Sequence, residues 1–252
     1  MKVFILATCR KPELLSMTEL VFKTLRVGFP TADVSVFANR IVGDLFLNLY
    51  AVLANIGAEI HQTDTNHATW IAALISRMQD PFWICDTDVI FFDKVEDWKF
   101  DGPLAGRRIP EWDDEFSGCI TRARLHPSLL YVDPVKTRQA IADYESKIAT
   151  THFTPKIDLL APVCLPFKGC RYFYDAASLL YHAIGGQKFT DLQLDAYSHF
   201  NFGTIEDVVL PRLKDGAQMA AVREAMLKNL NASRGMWRSQ EDYYTSRAAS
   251  IL

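Results

Sequence analysis

Two aspartates separated by one residue lie inside an otherwise apolar segment of the chain. Asp86 and Asp88 flank Thr87, between the apolar runs 83–85 and 89–92. In an extended strand, side chains two residues apart point to the same face, so the two carboxylates would lie together. Burying two like charges side by side is costly unless a cation neutralises them. Because hard oxygen ligands suit Mg²⁺ or Mn²⁺, the pair predicts a divalent-cation site. The alternative is that Asp86 caps a turn and Asp88 pairs with a nearby arginine.

Strand-like and helical patterns alternate ahead of this pair. Short apolar runs of strand length occupy 2–8, 34–38, 58–62 and 82–85, and helical spacing occupies 13–28, 45–56 and the stripe Trp70, Ile71, Leu74, Ile75 and Met78. Such alternation predicts an α/β fold with a mostly parallel central sheet and helices on both faces. In such sheets ligands bind beyond the carboxyl ends of the strands. The acidic pair follows the fourth strand and would lie at that edge.

The second half of the chain has a less regular pattern. It predicts strands at 104–108 and 129–132, an exposed acidic loop at 111–115, and helices from Pro134 and over 175–184. A further helix is predicted over 217–230, where Met219, Val222, Met226 and Leu230 have helical spacing. No internal repeat or linker-like segment divides the chain, so residues 1–252 are predicted to form a single domain.

Composition excludes several classes of protein. The 27 basic and 30 acidic residues give a net charge of −3, whereas nucleic-acid binders usually carry a basic surface. No run approaches the roughly 20 apolar residues of a transmembrane helix. The cysteines are odd in number and mostly far apart, which favours reduced thiols and a cytoplasmic location: Cys9, Cys85, Cys119, Cys164 and Cys170.

The order of elements, ending in the Asp-x-Asp pair, resembles the GT-A fold of nucleotide-sugar-dependent glycosyltransferases. The resemblance covers about residues 1–210 and is specific only around Asp86 and Asp88. It implies an enzyme that moves a sugar from a nucleoside-diphosphate donor to an unknown acceptor with Mn²⁺ or Mg²⁺. Residues 1–130 would then form the nucleotide-sugar-binding half, 131–210 the acceptor-side half, and 211–252 a C-terminal helical appendage.

The resemblance also implies a set of metal ligands. Asp88 would bind the metal directly, and Asp86 would contact the ribose, or the metal through a water molecule. His199 would be a third ligand, because several GT-A families close the metal site with a late histidine followed by glycine and a small hydroxyl residue, as in Gly203 and Thr204. The alternative for His199 is a histidine hydrogen-bonded within a strand.

Donor-binding residues are implied after the first and third strands. Ala7, Thr8 and Arg10 lie where GT-A enzymes bind the nucleotide, and arginine suits bidentate phosphate contacts. The alternative for Arg10 is a solvated side chain at a helix start. Asp64 would contact the base or the ribose, although capping of the following helix by Asp64 or Thr65 is the favoured explanation.

Asp175 occupies the region where GT-A enzymes place an acidic residue near the acceptor. In an inverting enzyme it would be the general base that deprotonates the acceptor hydroxyl. The alternative is an N-cap for a helix over 176–184. The neighbouring Tyr172, Phe173 and Tyr174 would form a stacking platform for a sugar ring or belong to the core.

Three other functions use the same sequence features. A haloacid-dehalogenase-like phosphatase would use Asp86 as nucleophile and Asp88 as acid/base, but that family usually carries its motif after the first strand. A nucleotidyltransferase usually has a glycine-rich loop there, and 7–11 contains no glycine. A non-catalytic nucleotide- or sugar-binding module would keep the fold without turnover.

Overall fold

The computed structural model describes residues 1–7, 15–87, 89–114, 119–149, 158–167, 170–174 and 176–199. The strands in chain order are β1 (Lys2–Ala7), β2 (Asp33–Asn39), β3 (Glu59–Thr63), β4 (Phe82–Cys85), β5 (Val89–Phe91), β6 (Leu104–Ile109), β7 (Trp112–Asp114), β8 (Cys119–Thr121), β9 (Arg124–Val132), β10 (Val163–Phe167), β11 (Cys170–Tyr174), β12 (Gln187–Lys188) and β13 (Tyr197–His199). The helices are α1 (Leu15–Gly28), α2 (Gly43–Asn55), α3 (His67–Arg77), α4 (Pro134–Ala149), α5 (Ser178–Ile184) and α6 (Asp191–Asp195). The helix expected over 217–230 lies outside the described residues.

A seven-stranded sheet forms the centre of the molecule, in the order β12-β6-β9-β4-β1-β2-β3. Strand β9 pairs antiparallel with β4 and β6, and the other pairings in this sheet are parallel. The prediction of a mostly parallel sheet is therefore confirmed. The antiparallel strand follows from the chain path, because β9 returns between β4 and β6 and not through a crossover helix.

The residues of β1 alternate between two hydrophobic cores. Val3 and Ile5 pack in a core that includes residues of α1 and α2, whereas Phe4 and Leu6 pack in a core that includes residues of α3 and α5. A central parallel strand has apolar residues on both faces because helices cover both sides of the sheet. Helices on both faces, as expected from the sequence, are thus confirmed.

Two smaller sheets complete the architecture. One has the order β10-β11-β8-β7, and the other pairs β13 with β5. The acidic segment 111–115 was expected to be an exposed loop, and this prediction is wrong for 112–114, which form β7 at an edge of the first of these sheets. Acidic side chains are suited to an edge strand because charge discourages pairing with another chain.

Among the described residues, none of the helices combines the length and the apolar character needed to cross a bilayer.

Candidate functional site

The carboxyl ends of β1 and β4 lie side by side at the centre of the main sheet. The chain leaves β1 through α1, which packs on one face, and enters β4 from α3, which packs on the other face. Such a reversal opens a crevice between neighbouring strand ends, where α/β proteins bind ligands. Ala7 ends β1 fully buried and in register with Ala38. Thr8 and Arg10 follow it and lie outside the described residues, so their assigned roles stay predictions.

Asp86 lies directly beyond the buried end of β4. Cys85 is fully buried and pairs with Ile5 of β1 and Leu129 of β9. The backbone N–H of Asp86 then donates to the carbonyl of Ser128 at 2.8 Å, which continues the ladder by one residue. The side chain of Asp86 is half-buried at the crevice edge. Asp88 lies outside the described residues, so its role as a metal ligand stays a prediction.

The backbone of His199 lies beside the chain segment that follows Asp88. Strand β13 pairs antiparallel with β5, with His199 in register with Val89 and Tyr197 in register with Phe91. Paired residues in antiparallel strands have Cα atoms roughly 5 Å apart. Strand pairing therefore brings together two residues, Val89 and His199, that are more than 100 positions apart in sequence. Nothing is described of the His199 side chain.

Asp64 is exposed and forms an ion pair with Arg40, which directly follows β2. Neither Asp64 nor Thr65 caps α3, so that part of the prediction is wrong. Asn66 is the N-cap, and its side chain accepts from the backbone N–H of Thr69 at 2.8 Å. The cap must precede the first helical residue directly, and the helix begins at His67.

The ends of β2 and β3 enclose an open depression of about 460 Å³. Its lining residues are Asn39, Arg40, Asp64, Thr65, Asn66 and Thr69. The buried Asn39 fixes the two strand ends together, because its side chain donates to the carbonyl of Thr65 at 2.9 Å and accepts from the Thr65 N–H at 3.2 Å. The depression offers amide, hydroxyl and charged groups on the same sheet edge as Asp86.

The sequence reasoning missed two polar residues of β9, and one of them, Ser128, lies next to Asp86. Ser128 is fully buried, and its backbone N–H donates to Nδ1 of His126 at 3.1 Å. Ser128 and Asp86 lie on the same face of the sheet, since Leu130 and Ile84, two residues away in each strand, pack in one core. Within the described residues, Ser128 Oγ has no hydrogen-bond partner. The sequence feature that could have indicated these residues is the polar pair at 126 and 128, directly before the buried apolar run 129–132.

Tyr172 and Tyr174, two positions apart on β11, contact an arginine. The guanidinium of Arg122 lies 5.1 Å from the ring centroid of Tyr172 and 5.9 Å from that of Tyr174. Arg122 also forms a 2.9 Å ion pair with Glu111. The predicted stacking platform is thus already engaged by a side chain of the protein.

His182 on α5 packs against this cluster, with its ring centroid 5.5 Å from that of Tyr174. Partial burial, and then the positive charge of Arg122, lower the pKa of His182 below its usual value. The neutral imidazole is therefore favoured in the folded protein.

Asp175 lies outside the described residues, but the start of the next helix is defined. Helix α5 begins at Ser178, and Ala177 is its N-cap residue in a left-handed conformation with φ of 61°. The expected N-cap role of Asp175 is therefore wrong, since the helix starts three residues later. The role of Asp175 as a general base stays a prediction.

The donor atoms expected around the crevice fit a divalent cation. Asp86, Asp88 and His199 would provide two carboxylates and an imidazole, which suit Mn²⁺ or Mg²⁺ with positions left for substrate oxygens. The described part of the chain holds no cluster of three or more His, Cys, Asp or Glu side chains able to bind a metal. Of the three expected ligands, only Asp86 has a described side chain.

The protein has an α/β fold in which the strand order reverses direction at the centre of its main sheet. Several solved structures align with most of the chain at low identity. A glycosyltransferase GlyE from Streptococcus pneumoniae TIGR4 is 11% identical, with 95% of this chain and 63% of that chain covered and a TM-score of 0.46. A galactosyltransferase LgtC in complex with donor and acceptor sugar analogs is 15% identical, with 93% and 99% covered and a TM-score of 0.45.

A third solved structure is the mannosyltransferase PcManGT from Pyrobaculum calidifontis in complex with GDP-Man and Mn²⁺. It is 10% identical, with 100% of this chain and 80% of that chain covered and a TM-score of 0.43. At these identities and TM-scores the alignments carry no argument about activity. No protein-family model matches the chain, and no curated protein matches it significantly.

Proposed function

We propose that this protein is a metal-dependent glycosyltransferase that moves a sugar from a nucleoside-diphosphate donor to an acceptor. The observation that supports this most strongly is the pairing of β13 with β5, in which His199 is in register with Val89. Val89 directly follows Asp88, and Asp86 lies at the end of the central strand β4. This pairing supports a site in which these three residues share one metal ion.

In this proposal Asp86, Asp88 and His199 hold Mn²⁺ or Mg²⁺ at the carboxyl end of β4. The bound cation would stabilise the negative charge of the departing nucleoside diphosphate. Ala7, Thr8 and Arg10 line the neighbouring strand end and contact the nucleotide, with the Arg10 guanidinium on a phosphate. The depression at the ends of β2 and β3 holds the ribose or base through Asp64. The net charge of −3 is compatible with an anionic donor, because the cation supplies the positive charge.

Asp175 is proposed to lie on the acceptor side, where it would be the general base if the enzyme inverts the anomeric centre. It would take the proton from the acceptor hydroxyl as that oxygen attacks the anomeric carbon and the diphosphate leaves. Residues 1–130 would bind the donor and 131–210 the acceptor, with 211–252 as a C-terminal appendage. Sequence features favour a cytoplasmic location for the enzyme.

The test compares Asp88→Ala with the parent protein in calorimetric titrations of UDP and GDP, with and without Mn²⁺. We expect the variant to lose at least about tenfold in Mn²⁺-dependent nucleotide affinity, as loss of a metal ligand demands. Asp80→Ala is the matched control, since Asp80 is an exposed carboxylate before the opposite end of β4. Equal affinities of the Asp88→Ala variant and the parent would refute the site assignment.

A thermal-shift screen of UDP-, GDP- and CMP-linked ligands separates the competing functions. Stabilisation only by phosphorylated compounds that lack a nucleotide would favour a phosphatase that uses Asp86 as nucleophile. Mn²⁺-dependent nucleotide binding without hydrolysis or transfer of any donor sugar would favour a non-catalytic binding module. The proposal expects Mn²⁺-dependent stabilisation by at least one nucleoside-diphosphate sugar.

A further inference from the structure

Helix α2 exposes an apolar surface on the outer layer of the molecule. Leu47 and Tyr50 are 63% and 53% exposed, and Ala51 and Ala54 are exposed beside them. Their positions follow the spacing i, i+3, i+4 and i+7, so they form one continuous stripe along the helix. We call Leu47, Tyr50, Ala51 and Ala54 the α2 stripe.

The opposite face of α2 already has its partners. Leu49 and Leu53 are buried in the core that contains α1. Asp44 is the only charged residue in the helix. A surface helix ordinarily carries charged and polar residues on its outer face, and a helix that is apolar nearly all round is typically covered on both sides. The α2 stripe therefore has the composition of a contact surface.

The described chain ends on the same face of the central sheet as α2. Tyr197 of β13 and Phe91 of β5 belong to the core that also contains residues of α1 and α2. Helix α1 packs against β5 on one side and α2 on the other. Only α1 therefore separates α2 from β5, the strand that pairs with β13.

Residues 200–216 connect this point to the predicted helix 217–230. A chain of that length spans up to about 55 Å when extended, so the predicted helix can reach α2 without strain. Its apolar side carries Met219, Val222, Met226 and Leu230. Long, flexible methionine side chains fill irregular surfaces, and the small Ala51 and Ala54 allow a second helix to approach closely.

We propose that the segment 217–230 docks on the α2 stripe of its own chain as a third helix on that face of the sheet. The apolar side of the segment would then face the α2 stripe. The proposal is independent of the proposed catalytic function.

Limited trypsin digestion of the full chain tests the docking, with cleavage after Arg223 and Lys228 followed by mass spectrometry. A docked segment is protected, and Leu47→Asp is expected to raise the cleavage rate at both bonds by roughly tenfold, because the charge replaces an apolar contact. Leu192→Asp is the matched control, since Leu192 on α6 is 84% exposed and lies away from the stripe. Its cleavage rate should equal that of the parent.

The reciprocal measurement uses a substitution that leaves the described fold untouched. In Val222→Asp, amide hydrogen exchange at residues 43–55 should accelerate relative to the parent, while exchange in α3 stays unchanged. Equal cleavage in the Leu47→Asp variant and the parent, or unchanged exchange in α2, would overturn the proposal. The proposal would also be overturned if protection from cleavage depended on protein concentration and were lost when light scattering shows that a dimer dissociates. That result would assign the stripe to contact with a second copy of the chain. Exchange protection of α2 only on adding lipid vesicles would likewise overturn it.

Discussion

Gly28 ends helix α1 against the ring of Phe91, and its replacement by alanine tests how this core positions the strand beside the candidate site. A Cβ at residue 28 would lie 2.5 Å from Cδ1 and 2.6 Å from Cγ of Phe91. Phe91 is 2% exposed, and its ring packs edge-on against Phe29 at 5.3 Å. The backbone of Gly28 does not have positive φ, so only the lack of space opposes alanine.

The expected cost follows from these contacts. Carbon atoms pack at about 3.5–4.0 Å, so the ring or the helix end must move by about 1 Å. Overpacking of this kind costs about 1–3 kcal/mol, and the higher helix propensity of alanine offsets up to about 1 kcal/mol. We therefore expect Gly28→Ala to lower the free energy of unfolding by about 1–2 kcal/mol.

Urea unfolding measures this loss, provided that the m-value of the variant equals that of the parent. Gly102→Ala is the matched control, because a Cβ there meets nothing closer than 3.4 Å and the change should stay within about 0.5 kcal/mol. Phe91 and Val89 belong to the same three-residue strand, so Gly28→Ala should also weaken Mn²⁺-dependent nucleotide binding. A Gly28→Ala protein as stable as the parent would refute this account of the packing.

Two further predictions concern polar groups away from the acidic pair. The hydroxyl of Tyr197 is buried without a hydrogen-bond partner among the described residues. Because no hydrogen bond would be lost, Tyr197→Phe should change the free energy of urea unfolding by less than about 0.5 kcal/mol. A loss above about 1 kcal/mol would mean that the hydroxyl is hydrogen-bonded. The pKa of His182 is lowered by burial and by Arg122, so the unfolded chain binds a proton at this residue more readily than the folded protein does. The contribution of His182 to the free energy of unfolding is therefore fully present above about pH 6.5 and is lost as the pH falls. His182→Asn should therefore lose less stability than the parent between pH 7.5 and 5.5, and equal losses would contradict the lowered pKa.

The first four strands of the main sheet could be predicted because their signals are local. The stripe on α3 is one example: Trp70, Ile71, Leu74 and Ile75 were expected on one face and are all buried. The runs of β1 and β4 are apolar throughout because helices cover both faces of the sheet. Neither inference needs knowledge of residues that are distant in sequence.

The strands predicted at 104–108 and 129–132 are confirmed as β6 and the second half of β9, but the pairing of the later strands could not be predicted because it is long-range. Trp112–Asp114 contains two aspartates and becomes a strand only through pairing with β8, which no periodicity reveals. Strand β9 inserts between β4 and β6, and its residues do not indicate which neighbours they will have. The cap of α3 shifted from Asp64 or Thr65 to Asn66 because its helix starts at His67.

For the candidate site, composition revealed Asp86 but not its neighbours. A carboxylate in an apolar run is conspicuous, whereas Ser128 lies beside Asp86 only because β9 pairs with β4. His199 was selected by its sequence context, and the pairing with Val89 is what relates it to Asp88.

That pairing also constrains how the proposed site assembles during folding. The end of β4 can form once the local strand–helix units have packed, since these contacts span short sequence separations. The contact between His199 and Val89 closes a loop of about 110 residues, and closing long loops costs entropy that only the completed core offsets. The Phe91 and Tyr197 rings lie at the same step of that pairing and are buried in the core with α1. The core that stabilises α1 is therefore also what holds the backbone of His199 beside Val89, which is why a substitution at Gly28 is expected to reach the proposed metal site.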